Sequence, residues 1–166
     1  MRKAEAIRKE GWSSDAIEHL FRDEARSLWR ALVAFAGGRR EVAEDAMAEA
    51  FARALRFAEG IRDPRAYVYA TAFRLAAQDL RRERRNHARP VPLDVEQPPE
   101  SDEVMAALSS LSTNQRAAVV LHYYVDLPVR EVSRVLGITP ATVKVHLFRA
   151  RRRLRALLGD VEETDG

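Results

Sequence analysis

The stretch from Leu127 to Leu158 constrains the fold more than any other. It reads LPVREVSRVLGITPATVKVHLFRARRRLRALL. Two short helical patterns are joined by Gly137-Ile138-Thr139. The first opens at Pro128 and turns Val129, Val132 and Leu136 inward, and Gly137 then permits a tight turn. Thr139-Pro140 is a start signal for the second helix: a capping hydroxyl, then proline at the first helical position. Val143, Leu147, Ala150, Leu154 and Leu157 give that helix one apolar face. With this face inward, a period of about 3.6 residues turns Val145, Phe148, Arg149 and Arg152 outward, with Thr142 and Lys144 beside them. Two helices, a glycine turn and a basic outer face together make a helix-turn-helix pattern whose second helix suits a DNA groove.

Charge supports this reading through its distribution. The chain of 166 residues carries a net charge of only +3. Between Asp126 and Leu158, eight Arg or Lys stand against two acids, a net of +6, which leaves −3 for the rest. A basic patch on one module of a near-neutral chain is an electrostatic footprint for nucleic acid. Arg149 can fork onto a guanine edge or a phosphate, and Phe148 can pack on a thymine methyl or sugar. Thr142 and Lys144 suit phosphates or bases at the positive end of the helix. Arg151, Arg153 and Arg155 suit phosphates or a protein surface. The competing reading is a soluble amphipathic helix with Phe148 in a local core.

The remaining chain also reads as helical: it is 46% hydrophobic and 32% charged, and rich in Ala, Leu, Arg and Glu. Ser14 or Asp15 caps a first helix with Ile17, Leu20/Phe21, Ala25, Leu28 and Leu32 inward, ended by Gly37-Gly38. A second helix, about 41 to 57, turns Ala43, Ala46/Met47, Ala50/Phe51 and Ala54/Leu55 inward. Its outer face holds Glu44, Asp45, Glu49, Arg53 and Arg56, with Glu49 and Arg53 placed to pair. Gly60 breaks the pattern. Asp63-Pro64 starts a third helix running to about Arg85, with Ala66, Ala70, Phe73, Ala77 and Leu80 inward and Tyr67 and Tyr69 flanking them. Its basic end (Arg81, Arg82, Arg84, Arg85) suits either the helix dipole or a nucleic acid.

Residues 86–101 lose periodicity and carry Pro90, Pro92, Pro98 and Pro99 with several acids. Such a linker spans up to ~50 Å when stretched, which predicts two modules that are tethered and not fused. Beyond it, Val104, Ala107/Leu108 and Leu111 form a short helix, and Ser112-Thr113-Asn114-Gln115 is a capping box opening another with Ala117, Val120, Leu121 and Tyr124 inward. The expected organisation is all-α: two small helical domains, 15–85 and 102–158, joined by a flexible linker at 86–101, with a loose start at 1–14 and an acidic tail at 159–166.

Several functions are excluded by what is missing. The sequence has no cysteine, so thiolate metal sites and disulfides are ruled out. Its four histidines (His19, His87, His122, His146) are scattered, so no metal is expected. No nucleophile-base set or glycine-rich phosphate loop appears, so neither an enzyme nor a cofactor is expected. The longest apolar run is far short of the ~20 residues of a membrane span. A cytoplasmic protein with no membrane association is expected.

At this point the sequence resembles the extracytoplasmic-function (group 4) sigma factors of RNA polymerase. Residues from Leu108 to Leu158 look like their region 4, REVAEDAMAEAFARAL like their region 2.2, and DPRAYVYATAFRLAAQDLRR like their regions 2.3–2.4. The resemblance implies a three- or four-helix bundle in the first half. It implies that Asp45, Ala48, Glu49 and Arg53 face the clamp helices of the polymerase beta-prime subunit. It implies that Tyr67, Arg74, Gln78, Arg81 and Arg82, with the loop from Phe57 to Asp63, open −10 DNA and hold an unstacked base. Region 4 then binds the beta flap and reads −35 promoter DNA through Thr142, Lys144, Val145, Phe148, Arg149 and Arg152. Core RNA polymerase, promoter DNA and an anti-sigma protein are the implied partners. The sequence departs from the family pattern at Ala48 (usually Gln), Tyr67 (usually Trp), Arg74 (usually Asn) and Gln78 (commonly Asp or Asn), and it has Ala141-Thr142 where Gly-Thr is usual. The alternatives are a plain helix-turn-helix regulator that dimerises through its first half, and a mimic that titrates anti-sigma proteins without opening promoters.

Overall fold

The computed structural model describes residues 12–86 and 102–159. Every regular element among them is helical. The N-terminal half holds α1 (Ser14–Phe35), α2 (Arg40–Arg56), a 3-10 turn (Ala58–Gly60) and α3 (Pro64–Arg85). The C-terminal half holds α4 (Asp102–Ser109), α5 (Thr113–Val119) with a π-helical continuation (Val120–Tyr124), α6 (Val129–Leu136) and α7 (Pro140–Leu158). Most of the expected loose start, nearly all of the linker and most of the acidic tail lie outside the described residues.

The helix starts follow local chemistry. Asp63 Oδ1 accepts from the Ala66 amide at 3.0 Å, with Pro64 in the first turn. Ser112 and Gln115 complete their capping box in both directions. Thr139 Oγ1 accepts from the Thr142 amide at 3.2 Å. Each such cap stabilises its helix by about 1 kcal/mol. The cap of α1 is Ser13, one residue before the expected pair, and its Oγ accepts from the Ala16 amide.

Ile17, Leu28, Leu32, Ala43, Ala50, Ala54 and Phe73 are buried where α1, α2 and α3 meet. The expected inward faces need correction in three places. On α3, Val68, Tyr69, Ala72, Phe73 and Ala76 are buried, whereas Ala66, Ala70 and Ala77 are only half-buried. The cause is position: α3 packs on α1 and α2 with one side and on α6 with another, so no single stripe describes it. Phe21 and Leu55, read as core, are 47% and 45% exposed. Leu157, near the end of α7, is 48% exposed because no element covers the last turn.

The two modules, expected to be tethered and not fused, pack against each other. α6 lies directly on α3, and one apolar core runs through both halves. Linker length sets how far two modules can separate. It does not stop complementary apolar faces from burying each other. At the seam, Leu127 and Val135 face Ala66 and Tyr69 across a small cleft. Tyr69 Oη donates to Glu24 Oε2 at 2.7 Å, and Arg65 Nε donates to Glu24 Oε1 at 2.9 Å. Arg65 also reaches Glu131 of α6, 3.7 Å away. Burial pushes the Tyr69 phenol well above its ordinary pKa, and the Glu24 carboxylate adds to the shift. Burial lowers Arg65, but its bond to Glu24 together with the charges of Glu24, Tyr69 and Glu131 outweighs this and raises it.

Gly137 closes the helix pair. It ends α6 with φ 66° and ψ 31°, a left-handed conformation, and its amide bonds to the Ser133 carbonyl. Ser133 Oγ donates to the Ile138 carbonyl at 2.7 Å, which ties the turn from the other side. A Cβ at Gly137 would meet nothing within 4 Å, so backbone strain is the whole cost of a side chain there. Gly137→Ala is expected to destabilise the protein by about 1–2 kcal/mol, and Gly137→Asn by less. Chemical denaturation of the two variants checks this, and equal stability of Gly137→Ala and wild type would refute it.

Candidate nucleic-acid interface

Helix α7 is two-sided as its sequence predicts. Val143, Leu147 and Ala150 are buried against α4, α5 and α6. Thr142, Lys144, Val145, Phe148, Arg149 and Arg152 are all exposed on the other side. Phe148 is 56% exposed and Val145 46%, so the reading that hides Phe148 in a local core does not hold. The Arg152 guanidinium stands over the Phe148 ring, 5.9 Å from its centroid. Thr142 shares a hydroxyl bond of 2.8 Å with Thr139, which fixes it at the positive end of the helix. Lys144 and Arg149 make no ion pair or hydrogen bond with other side chains among the described residues, so their charges are available. Arg151 differs: it donates to Tyr123 Oη at 2.9 Å and is drawn sideways to α5's π-helical end.

A second surface lies on α3. Tyr67, Arg74, Gln78 and Arg81 recur at helical spacing, with Arg82 beside them. Tyr67 is half-buried and the other four are exposed. Arg81 Nε donates to the Ala77 carbonyl at 3.2 Å, and Arg82 lies 3.7 Å from Asp79. The loop before α3 adds an aromatic group: Phe57 is 53% exposed, with the Arg56 guanidinium 5.9 Å from its ring centre. Trp12 Nε1 donates to the Arg62 carbonyl at 3.3 Å and braces this loop. An exposed ring beside a cation can stack on an unpaired base.

The third surface is on α2. Asp45 and Ala48 are exposed, and Glu49 and Arg53 are half-buried. Arg53 Nε donates to Glu49 Oε1 at 2.6 Å, the i,i+4 pair expected from the sequence. Phe21 and Leu55 add an apolar strip that sequence reasoning assigned to the core. They line a groove with Ile17 and Phe51, and Phe21 meets Phe51 edge to face at 5.0 Å. Nothing in the helical period marks them as exposed, because they sit at the margin of the buried stripe. No helix among the described residues is long and apolar enough to cross a membrane.

These surfaces can be set beside known proteins. Residues 101–154 match the family described as sigma-70, region 4. The ECF RNA polymerase sigma factor SigM of Bacillus subtilis (strain 168) is 44% identical over 50 residues, which is 30% of this chain and 31% of that protein. The match therefore spans about a third of the relative's length. The fold resembles RpoE of Bartonella quintana, solved with the anti-sigma factor NepR: TM-score 0.68, 20% identity, 87% of this chain and 99% of that one. It also resembles the extracytoplasmic function sigma factor SigJ of Mycobacterium tuberculosis: TM-score 0.62, 26% identity, 82% of this chain and 52% of that one. Residues 101–154 therefore carry a sigma-70 region 4 sequence on the helix-turn-helix, and the fold across both halves is similar to that of solved extracytoplasmic-function sigma factors.

Proposed function

We propose that the protein binds core RNA polymerase and directs transcription to particular promoters, acting as a specificity subunit and not as an enzyme. The observation that carries this reading is the outward face of α7, where Thr142, Lys144, Val145, Phe148, Arg149 and Arg152 stand exposed on the second helix of a helix-turn-helix. In this reading the face enters the major groove of −35 DNA. Arg149 reads a base edge and Arg152 holds a phosphate. Tyr67, Arg74, Gln78, Arg81 and Arg82, with Phe57 nearby, hold separated −10 DNA. Arg74 replaces the family's short amide with a cation, so it attracts phosphate or a guanine edge more than a specific amide partner. Asp45, Ala48, Glu49 and Arg53, extended by Phe21 and Leu55, dock on the beta-prime clamp helices, and the C-terminal half meets the beta flap.

The domain limits follow from this division: 15–85 for polymerase and −10 DNA, 102–158 for −35 DNA, with 86–101 between them. A cytoplasmic location and an anti-sigma partner fit the same reading. A relative of similar fold was solved with an anti-sigma factor.

In vitro transcription with core polymerase on a genomic library tests the proposal. Start sites above the core-only background are expected, and none would remove the reading. Arg149→Ala should weaken binding by about 1–3 kcal/mol at one −35 position while sparing the others. A footprint that is unchanged at every position would count against Arg149 as a base reader. Glu49→Arg, with its helix still intact by circular dichroism, should lose polymerase affinity in a pull-down with core enzyme. Undiminished capture would move the docking surface away from α2.

A further inference from the structure

One exposed aromatic ring lies outside both the core and the surfaces described so far. Tyr123 belongs to the π-helical segment and is 51% exposed. Its ring is nevertheless fixed. His122 meets it edge to face at 4.8 Å, and His122 Nδ1 donates to the Leu127 carbonyl at 2.8 Å, which sets the orientation of the imidazole. The phenol oxygen reaches α7 and accepts from Arg151 Nη1 at 2.9 Å, across 28 positions of sequence. One arginine of an exposed basic run is thereby held in one place.

Arg151 also has a definite place along the helix. Lys144, Phe148, Arg151 and Arg155 are all exposed, and their helical spacing makes them one row along an edge of α7. Lys144 and Phe148 begin that row within the outward face described above. Arg151 stands two turns beyond Lys144, about 10 Å along the axis. The first residues of a recognition helix meet base edges. The major groove is about 12 Å wide, so a side chain this far along the row is level with the backbone that walls it. The bond to Tyr123 engages one N–H of the guanidinium and leaves others free, enough for a two-point grip on phosphate oxygens. An arginine loses much side-chain freedom when a ligand fixes it. Here the phenol fixes it beforehand, so less is lost on binding.

We propose that Tyr123 is a positioning residue for DNA binding: it holds Arg151 where the free edge of the guanidinium contacts one backbone phosphate at the wall of the major groove. The inference rests on the reading of α7 as the helix that enters −35 DNA. A phosphate contact carries no base information, so this one strengthens binding on any sequence. Its role is thus separate from that of Arg149, which reads a base edge.

The full chain is titrated with short DNA duplexes of two unrelated sequences, by fluorescence anisotropy at a series of salt concentrations. Arg151→Gln should weaken binding equally on both duplexes and lower the slope of log Kd against log salt by about one. Tyr123→Phe keeps the ring and every charge, and it should weaken binding about threefold. Added to Arg151→Gln, it should change nothing further, the coupling expected when one residue acts through the other. Both partners are exposed, so each variant should unfold at nearly the wild-type temperature. A ring that only braces α7 would lower stability and show no such coupling in DNA binding. Unchanged affinity of Tyr123→Phe, or an equal further loss on top of Arg151→Gln, would overturn the proposal while leaving α7 as a DNA-facing helix. Undiminished DNA binding by Arg151→Gln, with weaker capture by core polymerase, would assign the pair to a protein surface instead. Absence of salt-dependent binding by the wild type would remove the DNA reading of α7 and this inference with it.

Discussion

The packing of α6 on α3 governs how the rest of the molecule is presented. α3 must serve two neighbours at once, the bundle formed with α1 and α2 and the helix-turn-helix on its other side. It does so by burying almost every side chain from Val68 to Phe73, a density that a helix in a simple bundle does not need. Tyr69 is the joint. Its ring is buried at the seam while its hydroxyl reaches Glu24, so the contact is apolar in bulk and fixed by one charge-assisted bond. Burial of a phenol without that acceptor would leave a donor unsatisfied. The same carboxylate holds Arg65, which touches Glu131 on α6. That last contact is solvent-exposed and contributes little by itself. The apolar surfaces hold the halves together, and the polar ones set their register.

Much of this was legible in the residues. The outward face of α7 followed from the spacing of Val143, Leu147 and Ala150, because a helix covered on one side only obeys a single period. The caps at Asp63, Ser112 and Thr139 were legible for a similar reason: each is a local bond between residues three apart. What was not legible is what depends on partners distant in sequence. The inward face of α3 was misjudged because two separate surfaces cover it. Phe21 and Leu55 were placed inside because their period is right, yet no neighbour reaches over them. Arg116 gave no signal at all. In the sequence it is one cation inside a capping-box helix, and only the docking of the two halves makes it a buried one.

The two faces proposed for nucleic acid differ in how their charges are held. On α7, Lys144 and Arg149 are unengaged, and the nearest order is imposed by a ring under Arg152. On α3, Arg81 and Arg82 already spend bonds on their own helix. A side chain with no partner loses little when it meets a phosphate, whereas one that must first give up a bond gains less. Direct readout therefore suits α7, and a broader electrostatic hold suits α3.

The π-helical segment at Val120–Tyr124 has a consequence of its own. There the Val125 amide bonds to the Val120 carbonyl, five residues back, so this turn carries one residue more than an α turn. The surplus is taken up as a local widening, and the chain then leaves toward α6 with Leu127 still directed into the core. Tightening that turn to an α turn would absorb the loss of one residue without re-aiming α6 or α7. The segment is thus a place where the chain can lose one residue while the helix pair keeps its bearing on the bundle beneath it.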